Sequence, residues 1–223
     1  MISAVARDVW RTVRRADLAI AYCVTVTLVT TWVFLQTPER QAEILSRVST
    51  NLVSLRAEPV LAMLASALVV SSMWGLYLVA PLLVVLAYLQ RFVGRLASLA
   101  VGLSGHVGAS MVVALALASG ISHGVIDESV SRATDVGVSY VMAGAMGFLV
   151  LAVPRRWRWW YMIPTALYWL LPGVIDLTFT DFGHATALGI GLLFAFVASR
   201  TVTADHRAHA PGEPETVPPE RRP

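Results

Sequence analysis

The chain alternates long apolar runs with short polar segments, and that alternation limits its fold more than any motif does. Six runs stand out, at residues 17–36, 69–90, 96–119, 136–153, 161–174 and 182–199. A bilayer-spanning helix needs about 20 predominantly apolar residues. The composition agrees: 57% of the 223 residues are hydrophobic and 14% are charged, against about 25% charged in soluble domains. The expected fold is an all-α, polytopic membrane protein with six transmembrane helices.

The polar segments divide the chain into three parts. Residues 1–16 carry Arg7, Arg11, Arg14 and Arg15 and read as a basic, amphipathic cytoplasmic leader. The apolar run that follows is long and closes without a small-residue cleavage site, so it reads as a span and not as a cleavable signal. Residues 17–200 form the membrane domain. Residues 201–223 hold five prolines among charges; that composition cannot bury a core, and a disordered cytoplasmic tail is expected.

Within the membrane domain, Thr37 and Pro38 look like the cap and first residue of a helix. Residues 38–58 then read as a loop containing an interfacial helix. Pro59 to Gln90 is too long for one perpendicular span, so residues 59–68 are expected to lie at the interface or re-enter. Residues 69–90 then cross, with a kink at Pro81. Residues 120–135 form a polar loop, and Pro154-Arg155-Arg156-Trp157-Arg158-Trp159-Trp160 forms a basic, aromatic interfacial belt.

Every basic residue other than histidine is arginine, and its placement orients the chain. Arg7, Arg11, Arg14, Arg15, Arg91, Arg95, Arg155, Arg156, Arg158 and Arg200 fall on one side. Arg40, Arg47, Arg56 and Arg132 fall on the other. The positive-inside rule then puts both termini in the cytoplasm of a multi-pass protein of the cell membrane.

Two stretches carry chemistry. Ser139, Ala143 and Gly147 are spaced i, i+4, i+8 and share a helix face. His184, Ala187 and Gly191, at i, i+3, i+7, share another. Faces this small allow close helix approach in a bilayer. Ser139 lies four residues past Asp135 and His184 three past Asp181, so both sit roughly 4–6 Å inside the outer boundary. A serine hydroxyl is a weak nucleophile until a base takes its proton, and a histidine pKa of about 6.5 suits that task. Ser139 and His184 are therefore the candidate nucleophile and base. No carboxylate is placed to orient His184, which makes the pair a dyad. His106, mid-span, reads as a hydrogen-bonded packing residue, His123 as a loop residue, and the lone Cys23 as a small core residue.

Gly137-Val138-Ser139 and the small-faced helix after it resemble the Gly-x-Ser-Gly segment in the fourth span of rhomboid intramembrane serine proteases. His184 with Ala187 and Gly191 is similar to their sixth span, where glycines follow the catalytic histidine at three and seven residues. Gln90-Arg91-Phe92-Val93-Gly94 resembles the end of their second span, with Gln90 in place of an acid. The resemblance covers about residues 55–200. It implies a six-span bundle with both ends inside and a Ser139–His184 dyad supported by Gly137. It also implies a membrane-anchored protein substrate entering from the side. Tyr140 stands where the motif has its second glycine, and Ala143 where the family often has a tyrosine packed on the histidine. Residues 60–90 contain neither the histidine nor the asparagine that complete the family's oxyanion hole. Counting back from Gln90 puts those roles near Trp74 and Leu78, so the Trp74 indole or the hydroxyls of Ser71 and Ser72 are the substitute donors.

Two other readings are carried. A catalytically inactive rhomboid-like protein would bind client transmembrane helices in the same groove. A small transporter is opposed by the lack of an inverted repeat. There is no His-Glu-x-x-His motif, no pair of intramembrane aspartates and no metal cluster. No cofactor or nucleic-acid partner is expected; the partners are the bilayer and a protein helix.

Overall fold

The computed structural model describes Trp10 and residues 12–208, with side chains to Arg200. Most of the expected basic leader and residues 209–223 of the expected disordered tail lie outside the described residues. Among the described residues every regular element is helical.

Helix α1 (Asp17–Phe34) buries Ala19, Cys23, Val26, Thr30 and Val33 along one stripe. Leu28 and Trp32 on its other side are more than half exposed, as suits a lipid-facing surface. A short turn leads to α2 (Pro38–Val48), where Thr37 accepts a hydrogen bond from the Arg40 N–H and Pro38 opens the helix. This helix is amphipathic and buries no residue. It is followed by α3 (Leu52–Ala57), capped by Asn51, and α4 (Pro59–Ser66).

Residues 67–72 are irregular but largely buried, with Val69 1% and Val70 3% exposed. Such backbone is tolerated at membrane depth only where protein groups satisfy it. Tyr22 donates its hydroxyl hydrogen to the Ala67 carbonyl at 2.6 Å, and the Val70 N–H donates to Thr30 Oγ1 at 3.2 Å. Of residues 59–68, expected to lie at the interface or re-enter, 59–66 form α4, and Ala67 just after it is stitched to α1.

The next crossing begins as a 3₁₀ turn, Met73–Leu78, and continues as α5 (Val79–Val93). Pro81 is the third residue of α5, in its first turn. A missing N–H costs little there, and the proline expected to kink the span sits at the junction between the 3₁₀ turn and the α-helix. The helix stops at Gly94, whose φ of 83° is left-handed. Gln90 ties α5 to α1: its Oε1 accepts from the Ala19 N–H, and its Nε2 donates to Asp17 Oδ1 at 2.6 Å.

Helix α6 (Arg95–Ser122) runs past both ends of the expected span. Helix α7 (Val138–Phe148), extended by a 3₁₀ turn to Ala152, is buried nearly all round. Its neighbours are α6, α5 and α9 (Phe179–Ala208). The close approach of α7 to α9 requires glycine: a Cβ on Gly191 would stand 2.1 Å from the Gly144 carbonyl oxygen, and one on Gly147 2.5 Å from that of Leu188. Helix α8 (Arg158–Ile175) lies at the edge and buries only Thr165 and Trp169.

Each of the six expected runs is largely helical, with residues 69–72 of the second irregular. By length and composition, four helices among the described residues can cross a membrane: Asp17–Phe34, Met73–Val93, Arg95–Ser122 and Phe179–Arg200. The apolar Val138–Ala152 is shorter, and α8 carries Pro164 and Pro172 with a basic, aromatic start. Helix α9 continues through residues 201–208, past the point where the sequence places the end of the last span.

Candidate functional site

Ser139 is the second residue of α7 and His184 the sixth of α9. The packing of these two helices sets Ser139 Oγ 2.9 Å from His184 Nε2, a normal hydrogen-bond length. Both residues are half-buried. They open into a cavity of about 370 Å³, walled by Ser71, Tyr77 and Leu78 on one side and Tyr168, Trp169 and Pro172 of α8 on the other. Thr134, Asp135, Thr180 and Asp181 line its polar end.

The histidine ring is held by two aromatic rings. Tyr140 meets it edge-on with centroids 5.2 Å apart, and Trp169 lies across it at 4.5 Å, tilted by 43°. Both arrangements fall in the favourable range for aromatic pairs. Trp169 is fixed in turn, its Nε1–H pointing at Met146 Sδ at 3.4 Å. Among the described residues no carboxylate reaches His184 within ion-pair distance. Asp181 instead caps its own helix: its Oδ2 accepts from the Thr178 N–H and hydroxyl, while its N–H donates to Thr178 Oγ1. That is a reciprocal capping box.

Tyr140 carries a second chain of contacts. Its hydroxyl donates to Asp135 Oδ1 at 2.9 Å, and Thr50 donates to Asp135 Oδ2 at 3.1 Å. The Asp135 N–H donates to Ser49 Oγ at 2.7 Å, and its carbonyl accepts from the Thr50 N–H at 2.9 Å. The junction between α2 and α3 therefore clamps the aspartate that holds Tyr140. Asp135 is only 4% exposed. Burial raises its pKa to about 6, against the lowering effect of the Tyr140 and Thr50 hydrogen bonds.

Gly137 precedes α7, and a Cβ there would overlap the His106 ring. Its N–H donates to the Ser66 carbonyl at 2.9 Å. His106 is fully buried and its Nε2 contacts the Met63 carbonyl at 2.8 Å and Ser66 Oγ at 3.2 Å. It braces α4 beneath the site. Ala143, Gly147, Ala187 and Gly191 lie in the α7–α9 contact, where Ala143 and Ala187 are fully buried.

Trp74 is placed differently from the sequence expectation. It is 87% exposed on the 3₁₀ turn and does not line the cavity, because that turn points its indole outward. Ser72 is occupied as the cap of the same turn, accepting from the Gly75 N–H at 3.1 Å. Ser71 lines the cavity and makes no hydrogen bond among the described residues. Trp169, Asp135 and Thr50 were not singled out for the site by sequence reasoning. One signal was present: Tyr140 follows Ser139 and Gly183 precedes His184, a bulky and a minimal residue at the same depth. Among the described residues no group of three or more His, Cys, Asp or Glu side chains could hold a metal ion.

The fold and the site together define a class: a helical membrane protein with a serine–histidine pair in a half-buried cavity. The family is shown directly. A model described as rhomboid-like protein matches residues 11–203, so the chain belongs to the rhomboid-like family. Comparison with curated proteins and with solved structures returns no match.

Proposed function

We propose that the protein is an intramembrane serine endopeptidase that cleaves membrane-anchored proteins near the outer face of the cell membrane. The observation that carries this reading is the 2.9 Å contact between Ser139 Oγ and His184 Nε2. The family, in general one of intramembrane serine proteases, supports it. The working topology is six spans with both termini cytoplasmic, on the arginine asymmetry described above.

In this reading the Ser139 hydroxyl donates to an unprotonated Nε2, with the ring proton on Nδ1. Nε2 accepts the hydroxyl proton as Oγ attacks the scissile carbonyl. The protonated imidazole then gives that proton to the leaving amine, and an acyl-enzyme remains on Ser139. Water enters, gives a proton to Nε2, and its oxygen displaces Ser139 Oγ, which recovers its hydrogen from the imidazolium. The Ser139 N–H lies in the first turn of α7, where N–H groups have no helical partner, and serves the developing oxyanion. The Ser71 hydroxyl is the second donor. The substrate helix enters the cavity between the 73–78 turn and α8.

The test is labelling with a serine-directed fluorophosphonate, with mass spectrometry to locate the adduct. Adduct on Ser139 that disappears in His184→Ala supports the protease. A second reading, a rhomboid-like protein that binds client helices without cutting them, is favoured by the lack of histidine and asparagine in residues 60–90. Resistance to the probe, together with retained binding of a transmembrane peptide, would select it.

A further inference from the structure

Two cavities meet at the upper end of α6, and neither shares a lining residue with the Ser139–His184 cavity. The upper one, about 500 Å³, is polar. Arg56 from the last turn of α3 and Arg132 from the 3₁₀ turn Glu128–Arg132 line it with Ser129, Ser131 and Ser122, whose hydroxyl donates to the Ser119 carbonyl. Glu128 is its one acid. The lower one, about 470 Å³, is a groove between α4 and α6, walled by Val60, Met63 and Leu64 against Val107, Met111 and Leu115. Its only polar lining side chain is Arg56. Leu52, Arg56 and Ala118 line both, so the two are continuous.

Three observations say what such a composite site holds. First, neither Arg56 nor Arg132 makes an ion pair among the described residues. Two unpaired guanidiniums beside hydroxyls suit a phosphate, whose oxygens match their fork of donors. Second, the groove runs from Ala118 to Val107, roughly 16 Å along the helix. That is about half of a hydrocarbon core of about 30 Å, or one leaflet. Third, apart from Arg56 the groove offers no side-chain hydrogen-bonding group, so an extended peptide there would leave its backbone unsatisfied. A hydrocarbon chain has nothing to satisfy.

We propose that this site holds one phospholipid of the outer leaflet. Its phosphodiester lies between Arg56 and Arg132, and one acyl chain fills the α4–α6 groove. A free phosphate would use only the upper half and leave the groove without a role. The site rests on the membrane placement of α6 and is independent of whether Ser139 cleaves anything.

The experiment uses the full-length protein, delipidated in detergent and titrated with dioleoylphosphatidylglycerol under native mass spectrometry. A saturable one-to-one adduct is expected. Both arginines are exposed, so Arg56→Gln with Arg132→Gln leaves the lipid-free thermal midpoint unchanged and weakens the adduct at least tenfold. Leu64→Trp, on the exposed wall of the groove, weakens it by a separate route. Dioleoylglycerol, which has the same chains and no phosphate, binds at least tenfold more weakly and ignores the arginine changes. Wild-type affinity in the arginine variant, equal binding of dioleoylglycerol, or full displacement by millimolar inorganic phosphate would overturn the proposal.

Discussion

The hydroxyl of Tyr140 fills the space that a side chain on Gly183 would take: a Cβ there would stand 2.2 Å from the tyrosine oxygen. The residue after Ser139 is thus seated on the residue before His184, and the two helices are keyed together at the depth of the pair. Gly183→Ala should push Tyr140 off its site, at the cost of about 1–3 kcal/mol usual for overpacking. Tyr140→Ala removes the edge-on contact that holds the imidazole and should lower kcat by about 10²-fold with little change in KM. Tyr140→Phe keeps the ring and should keep most of the activity. Equal rates for Tyr140→Ala and the parent protein would show that the ring does not position His184.

Ser139→Ala should abolish cleavage while leaving transmembrane-peptide binding intact. His184→Ala should match it, and the double variant should be no worse, since members of a dyad act as one unit. Cleavage that persists unchanged in Ser139→Ala would remove the serine mechanism.

Asp135 gives stability a pH dependence of definite sign. Its pKa rises from 3.8 to about 6 on folding, so the folded state holds its proton more tightly. That contribution is complete below pH 3.8 and is lost as pH rises through 6; it is on the order of 2–3 kcal/mol. Asp135→Asn keeps an acceptor for the Tyr140 hydroxyl and does not titrate. The thermal midpoint of the variant, measured against the parent in detergent, should therefore gain between pH 4 and pH 7. A constant difference across that range would show that the carboxyl titrates normally.

The topology can be read by labelling from outside with single cysteines on a Cys23→Ser background. Cys23 is buried against α5, 4% exposed, so the serine replacement should be mild. Label should reach Ser129→Cys and miss Arg156→Cys and Ala208→Cys. Outside labelling at position 208 would invert the orientation.

Gly191→Val drives a branched side chain into the Gly144 carbonyl, 2.1 Å from the Cβ position. The α7–α9 contact should open, and both the thermal midpoint and fluorophosphonate labelling should fall together. Labelling that survives at full rate would mean the pair does not depend on that packing.

The helices were legible because apolar runs in a bilayer have few other ways to satisfy their backbone. The small faces of Ser139, Ala143 and Gly147 against His184, Ala187 and Gly191 were legible because close approach needs small residues at helical spacing. What escaped lies where chemistry depends on distant partners. Nothing local marks Trp169, 15 residues before His184, as the ring that covers it. Nothing in Ser49-Thr50 announces that it grips Asp135. Trp74 was assigned by counting back along a uniform helix, and the 3₁₀ turn at Met73–Leu78 changes the direction in which that position points.

The Thr50–Asp135 contact spans 85 residues and the Ser139–His184 contact 45. Chains fold from the N-terminus as they are synthesised. The ring-holding tyrosine can be anchored only once residue 140 has emerged, and Ser139 meets the His184 ring only after residue 184 has followed. A nascent chain therefore carries Ser139 through the insertion machinery without His184 beside it. The pair is assembled only when the helix that brings His184 docks.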